Sequence, residues 1–354
     1  MRLSVCLIVL NEASRLREAL DSVREVADEI VVVDTGSTDG TPEFAASLGA
    51  QVYSFEWVDD FAAARNFAFA QARGEWILSI DADERLEDPS SLPPLEGDAF
   101  RVRIVDDGVE SWRTRLFRRA AAPPMVGRIH ELFDPPLAAQ DSAVRLVHSG
   151  YSGGPSEEKH RRNLPLLEAE LRERPERMDI RVELARTLAA VGDARAASAM
   201  DEALSHVDPT AEHAVPHVAM LMEAAMARPE GERSEWLRRP LVDALVERWF
   251  PSSPPLWWVL AREAAMGGDF IGAYRHLERL VVMAERGSYD RSIGFDARLL
   301  GPEPRLQLGG MLVRLGRLGE AREVFEELLG DGAVGVAAKA NLQAVNALVQ
   351  EKTA

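Results

Sequence analysis

The chain has 354 residues, 46% of them hydrophobic and 28% charged, enough apolar mass for about two globular domains. Its formal net charge of −17 argues against nucleic acid or an anionic membrane surface as the main partner, because like charges repel within a Debye length. The single cysteine, Cys6, excludes an intrachain disulfide framework and fits a cytoplasmic setting.

Residues 3–10 are continuously apolar and short, which predicts a strand buried on both faces of a parallel sheet. Polar Asn11 and Glu12 follow, without the small-residue pattern of a cleavage site, so a signal peptide is not expected. No apolar stretch approaches the ~20 residues that cross a bilayer. Residues 11–28 place Leu16, Leu20, Val23 and Val26 at helical spacing, with Asn11 or Ser14 able to cap the start. Residues 29–34 predict a second strand, and "TPEFAASLG" a short helix ended by Gly49. "AQVYSFEW" reads as a third strand, "DDFAAARNFAFAQARG" as a helix stopping at Gly74, and "EWILSIDADE" as a fourth strand. Strands alternating with helices in this way wind into a parallel sheet through right-handed crossovers.

Asp34-Thr35-Gly36 closes the second strand with the triplet by which aspartic proteases present a carboxylate. Those enzymes need two carboxylates sharing a proton. No second D-T-G or D-S-G occurs here, and the α/β context is wrong for their all-β lobes. Asp34 instead stands at the carboxyl end of a parallel strand, where open α/β sheets bind ligands. The fourth strand ends in Asp81-Ala82-Asp83-Glu84. Alternate residues of an extended segment share a face, so both aspartates point the same way. Two carboxylates a few Å apart repel by about 4 kcal/mol at an effective dielectric near 20. A divalent cation, its shell completed by substrate phosphates, would relieve that repulsion.

The stretches "CLIVLNEASRLREALDSV", "DEIVVVDTGSTDGT" and "FEWVDDFAAARNFAFAQARGEWILSIDADE" resemble the GT-A glycosyltransferases of family 2. Within these the chain is similar to the bacterial branch with a helical-repeat tail, which includes peptide S-glycosyltransferases acting on bacteriocins. "RLFRR", "VGRIHE", "LVHSGY" and "KHRRNLPLL" extend the likeness. The resemblance implies that Asn11, Glu12 and Asp34 lie near the base and ribose of a nucleotide-sugar, usually a UDP-sugar. It implies that Arg65 faces the nucleotide or its diphosphate, where guanidinium geometry suits phosphate. Asp81 would approach the ribose or the metal, Asp83 would ligate Mn2+ or Mg2+ directly, and His148 would return to the metal. It places an acidic base near Glu131, with His130 open as ligand, base or orienting neighbour. Gly150, Gly153 and Gly154 suggest a closing loop. Lys159, Arg161 and Arg162 either close over the diphosphate or begin a solvated helix.

From about residue 161 the pattern is helical throughout. "GDARAASAMDEAL", "GDFIGAYRHLERL" and "GRLGEAREVFEEL" share a template: a glycine ends one helix, and five residues later Ala197, Ala273 or Ala321 lets the next pack close. Trp249, Trp257 and Trp258 read as interhelical core, or as a peptide groove. "GDGAVG" from Gly330 fits a dinucleotide fingerprint only as letters, because it follows a helix rather than a strand.

The expected architecture is α/β plus all-α, with a Rossmann-like, mostly parallel GT-A domain over 1–155 and a tetratricopeptide-like domain over 156–354. The expected function is metal-dependent, inverting transfer from a UDP-sugar to a peptide, protein or glycan acceptor. The helical tail would hold the acceptor or a second copy in a homodimer, with no nucleic acid and no membrane span involved. The rival expectation is a tetratricopeptide-like scaffold whose nucleotide-binding domain is catalytically silent.

Overall fold

A computed structural model describes residues 2–106, 108–148, 157–211, 216–291 and 294–353. Its first half follows the expected alternation: β1 (Leu3–Val9), α1 (Leu16–Val23), β2 (Glu29–Asp34), α2 (Thr41–Ser47), β3 (Gln51–Ser54), α3 (Phe61–Gln71) and β4 (Trp76–Ser79). Then come β5 (Glu84–Leu86), β6 (Ala99–Asp106), β7 (Val109–Arg118), β8 (Met125–Val126), β9 (Leu132–Phe133) and β10 (Gln140–His148). The main sheet runs β3-β2-β1-β4-β7-β6-β10-β5. It is parallel from β3 to β4, where helical crossovers join the strands, and mixed beyond, where β7 lies antiparallel to both β4 and β6. β1 is the central strand of the parallel part. Leu3, Val5, Leu7 and Val9 meet one core cluster, and Cys6 meets the other.

Leu16, Leu20 and Val23 are buried on α1 as their spacing predicts. The expected cap is not made: Arg15 is the N-cap residue and no side chain caps it. Asn11 instead adopts φ +56° and accepts a hydrogen bond from the Thr38 amide at 2.8 Å, while its own amide donates to Ser37 Oγ. The loops after β1 and β2 are thereby tied together at the carboxyl edge of the sheet.

A buried polar knot pins the opposite edge. Ser4 Oγ donates to Glu29 Oε2 at 2.6 Å and accepts from the Gly74 amide at 2.8 Å; Glu29 also accepts from the amide and Nε of Arg73. A Cβ on Gly74 would lie 2.6 Å from Ser4 Oγ and 2.7 Å from Ser4 N. Gly74→Ala should therefore cost about 1–3 kcal/mol in a denaturant melt, as overpacking of a tight site does. Burial alone would raise the Glu29 pKa, but the hydrogen bonds from Ser4 and Arg73 outweigh it and hold the carboxyl below its ordinary value. A lowered folded-state pKa contributes stability above the unfolded value, and that contribution is lost as pH falls through the folded one. Glu29→Gln should cost about 1.5–3 kcal/mol near neutrality, and its gap to wild type should narrow below about pH 4.5. Paired urea melts at pH 7 and pH 3.5 check this.

After β10 the described chain is helical apart from a two-residue strand, β11 (Phe295–Asp296): α4 (Glu157–Glu173), α5 (Met178–Ala190), α6 (Ala196–Ser205), α7 (Pro216–Met226), α8 (Leu241–Trp249), α9 (Pro254–Met266), α10 (Phe270–Arg286), α11 (Glu303–Arg314), α12 (Leu318–Glu327) and α13 (Gly332–Thr353). No helix among the described residues is long and apolar enough to cross a membrane. Two compact units form, Met1–Ala203 and Leu204–Ala354, so the division falls later than the 155/156 boundary expected from the pattern. The reason is a polar anchor. Glu170 of α4 accepts from the Arg128 amide and from Arg177, and Arg177 also donates to the His130 carbonyl. These bonds, with Leu166, Leu167 and Ile180 packed on Ile129, fasten α4 and α5 to the loop before β9.

The three glycine templates form one turn. Gly192, Gly268 and Gly316 take φ of +68°, +80° and +74°. Each is followed by an amide that reaches back to a carbonyl five residues earlier, as in a Schellman motif. Ala273 and Ala321 are buried as expected. Ala197 is exposed, because α6 starts four residues after its glycine whereas α10 and α12 start two after theirs. That shift takes Ala197 off the packing face. Trp249 and Trp257 are buried, and Trp258 lines a small groove of 160 Å³. The G-x-G-x-x-G letters fall at the turn between α12 and α13 and open the latter.

Candidate active site

A cleft of 1210 Å³ opens in the first unit, over the carboxyl ends of β1 and β4. It is lined by eight arginine and lysine side chains against six carboxylates, although the whole chain carries −17. Such a local reversal of sign in an acidic protein marks an anion site. Glu12, Arg65, Asp81, Asp83, His130, Glu131 and His148 all line it, as do Lys159 and Arg162 of α4. The loop glycines Gly150, Gly153 and Gly154 lie outside the described residues.

At its floor is a ladder of alternating charge. Arg65, buried on α3, donates through Nε to Glu131, through one terminal nitrogen to Ser79 Oγ at 3.1 Å, and through the other to Asp81 Oδ1 at 2.7 Å. Arg115 on β7 takes the second Asp81 oxygen at 3.0 Å and stands 3.6 Å from Glu84. The pairing of Leu78 with Leu116 across β4 and β7 brings Arg115 beside Ser79, two residues ahead of Asp81. Burial opposes ionisation of Asp81, but the guanidiniums of Arg115 and Arg65 outweigh it and hold the carboxyl far below the usual carboxylate range. Burial likewise would raise Glu131, and Arg65 brings it below its ordinary value. Asp83 goes the other way, raised first by burial and then by the charge of Asp81, with His148 pulling against both. Burial is also the main cause of the raised Glu12, with Arg15 opposing and Asp83 adding to the rise.

Several expectations are corrected by this geometry. The repulsion between the paired aspartates is answered in the protein itself by two arginines, both of which bind Asp81. Asp81, Asp83 and His148 are therefore not gathered as three ligands around one point. Among the described residues no group of three or more His, Cys, Asp or Glu side chains is placed to hold a metal ion. Asp83 and His148 do meet, with Oδ2 and Nδ1 3.8 Å apart. One carboxylate oxygen and one imidazole nitrogen, with a diphosphate and water to complete the shell, fit Mn2+ or Mg2+. Arg65 lines the cleft, and its guanidinium also donates to three protein acceptors. Asp34 does not line the cleft but accepts from the Gly36 and Ser37 amides at 3.0 and 3.1 Å, forming an Asx turn. Asn11 is the brace already described. His130 is exposed at φ +51°, with its carbonyl held by Arg177.

Arg115, Glu84 and Asn66 were not expected from sequence. Asn66 brackets β8 through both its amide nitrogen and oxygen, bonding Met125 O and Met125 N. The signal for Arg115 was the R-x-R alternation in "WRTRLF", which sets Arg113 and Arg115 on one face of a strand.

The model of the glycosyl transferase family 2 matches residues 4–99, which hold β1 to β5 and the acidic end of the cleft. Residues 4–99 are thus similar to family 2 glycosyltransferase domains. A TPR repeat-containing protein of Synechococcus elongatus is 41% identical over 148 residues, 39% of this chain and 37% of that protein. The glycosyltransferase SunS of Bacillus phage SPbeta is 30% identical over 195 residues, 48% of this chain and 45% of its own. An uncharacterized glycosyltransferase of Rickettsia bellii is 44% identical over 85 residues, 24% of this chain and 29% of its own. The chain thus spans less than half the length of these curated relatives. Among solved structures, glucosyl-3-phosphoglycerate synthase from Mycobacterium tuberculosis in complex with Mn2+ and UDP-glucose aligns with 54% of this chain and 79% of its own, at 19% identity and TM-score 0.34. The family 2-like domain and its helical continuation agree with the architecture read from sequence.

Proposed function

We propose that this chain is a metal-assisted, inverting glycosyltransferase that moves a sugar from a UDP-sugar to a peptide, protein or glycan acceptor. The supporting observation is the cleft itself: a cation-rich lining in an acidic chain, with the Asp83–His148 donor pair at the edge of a family 2-like domain. Its volume exceeds the roughly 300–1,000 Å³ of a single small-ligand pocket, which leaves room for donor and acceptor together.

Asp83 and His148 would hold a divalent ion, which when bound neutralises charge on the departing diphosphate. Lys159 and Arg162 of α4 supply further positive charge toward the phosphates, near Asp83 and Glu12 respectively. Glu12 and the braced Asn11 loop face the nucleoside. Arg65 and Arg115 keep Asp81 ionised and fixed. In the transfer the bond from the anomeric carbon to the phosphate oxygen breaks, the acceptor atom bonds to that carbon, and its proton passes to Glu131. Held ionised by Arg65, Glu131 is a weak base, suited to a transition state in which departure runs ahead of attack. Stacked helix pairs, as in the second unit, suit extended chains, and we assign that unit to acceptor binding.

Thermal denaturation with a panel of nucleotides tests the donor assignment. UDP with Mn2+ should raise the melting temperature and UDP alone should not, since only a ligand of the native state stabilises it. Stabilisation by a guanosine or thymidine diphosphate in preference to UDP would refute the assignment. Absence of turnover with any nucleotide-sugar would favour the silent scaffold.

A further inference from the structure

Glu84 opens β5 with a side chain only 1% exposed, yet its Oε1 accepts no hydrogen bond. The other oxygen is engaged, accepting from the Asp81 amide at 2.8 Å and curling the D-A-D-E turn onto itself. Oε1 faces His148 Nε2 at 3.5 Å and the Arg115 guanidinium at 3.6 Å. A buried carboxylate oxygen in that state costs free energy until a donor closes on it. Strand pairing supplies the donor, because β5 and β10 are antiparallel with His148 registered directly opposite Glu84. The second ring nitrogen, Nδ1, faces Asp83 Oδ2 at 3.8 Å, and both of those residues line the cleft.

We propose that Glu84 is a positioning residue that fixes His148 with its hydrogen on Nε2 and presents the Nδ1 lone pair, beside Asp83, to the divalent ion. This rests on the reading of the cleft as a metal–diphosphate site. A carboxylate that takes the N–H of an imidazole fixes its ring orientation and raises the basicity of the opposite nitrogen. Glutamine at this position would be a weaker acceptor for the imidazole N–H and would remove the negative charge facing Arg115.

Two measurements on the full chain test it. Mn2+ affinity in the presence of UDP, read by electron paramagnetic resonance of the free ion, should fall about 10–100-fold in Glu84→Gln. It should fall at least as far in His148→Ala, and the double variant should be no weaker than His148→Ala alone, because Glu84 acts through the imidazole. Glu84→Asp, which keeps the charge, should recover part of the loss. Independently of any variant's folding, long-range proton–nitrogen spectra of histidine-labelled wild type with Mg2+ and UDP should place the His148 hydrogen on Nε2. Unchanged Mn2+ affinity in Glu84→Gln, a double variant much weaker than His148→Ala, or a hydrogen on Nδ1 would each overturn the proposal while leaving the metal–diphosphate reading intact. Wild-type protein that binds no Mn2+ with UDP would overturn both.

Discussion

Asp83→Ala should lower turnover of the nucleotide-sugar by about 10²–10³-fold, the loss seen when one stabiliser of developing charge is removed, while the protein remains folded. The two halves of this expectation have different origins. Asp83 is close to Asp81 and Glu84, whose negative charges oppose its own. Removing its carboxylate relieves that repulsion, so the ligand-free variant should melt at or slightly above the wild-type temperature. The added stability that UDP and Mn2+ together give wild type should disappear, because the oxygen that faces His148 is gone. A functional carboxylate thus shows itself by opposite signs in the ligand-free and ligand-bound melts. Steady-state hydrolysis of a UDP-sugar and a pair of melting curves measure both. Retention of wild-type turnover by Asp83→Ala would remove Asp83 from the site.

Arg65→Met should destabilise the first unit by about 3 kcal/mol, the lower part of the range for breaking a buried ion pair from one side. For a unit of this size that is a fall of about 6–12 °C in melting temperature. The side chain is 8% exposed and serves Glu131, Ser79 and Asp81 at once. Its loss leaves Glu131 without its cation and Asp81 with Arg115 alone. Arg65→Lys should not rescue, since one ammonium on a flexible stem cannot reproduce a planar fork reaching three acceptors. Circular-dichroism melts of the three proteins decide this. A melting temperature for Arg65→Met within 1–2 °C of wild type would show that the ladder holds nothing together.

The parallel part of the fold was legible because β1, β2 and β4 are short, buried and largely apolar, and because the helices carry apolar stripes, with Gly49 and Gly74 following α2 and α3. The hairpin of β6 and β7 was harder to read, since Arg101, Arg103, Arg113 and Arg115 interrupt its apolar residues with charge. Within the site, sequence spacing put Asp81 and Asp83 on an extended strand end. Instead β4 stops at Ser79 and the chain turns there, the Glu84 amide donating to the Asp81 carbonyl at 3.0 Å. Nor could spacing show what faced the two aspartates. That depended on Arg65 coming from a helix 16 residues earlier and Arg115 from a strand 34 residues later. Asp34 looked like a ligand because D-T-G-S at a strand end suits one, yet the same short carboxylate also satisfies the amides of its own turn. The late unit boundary had a similar cause. The helical period announces where helices begin, whereas Glu170 and Arg177 decide to which core the first two belong.

The central claim is that Asp83 and His148, not Asp81, form the face that meets metal and diphosphate. Anomalous diffraction from a crystal soaked with MnCl2 and UDP tests it most directly. The account predicts a manganese peak bonded to Asp83 and His148 and to UDP oxygens, with both Asp81 oxygens still on Arg65 and Arg115. A peak bonded to Asp81, or UDP bound in the cleft without manganese beside Asp83, would contradict it.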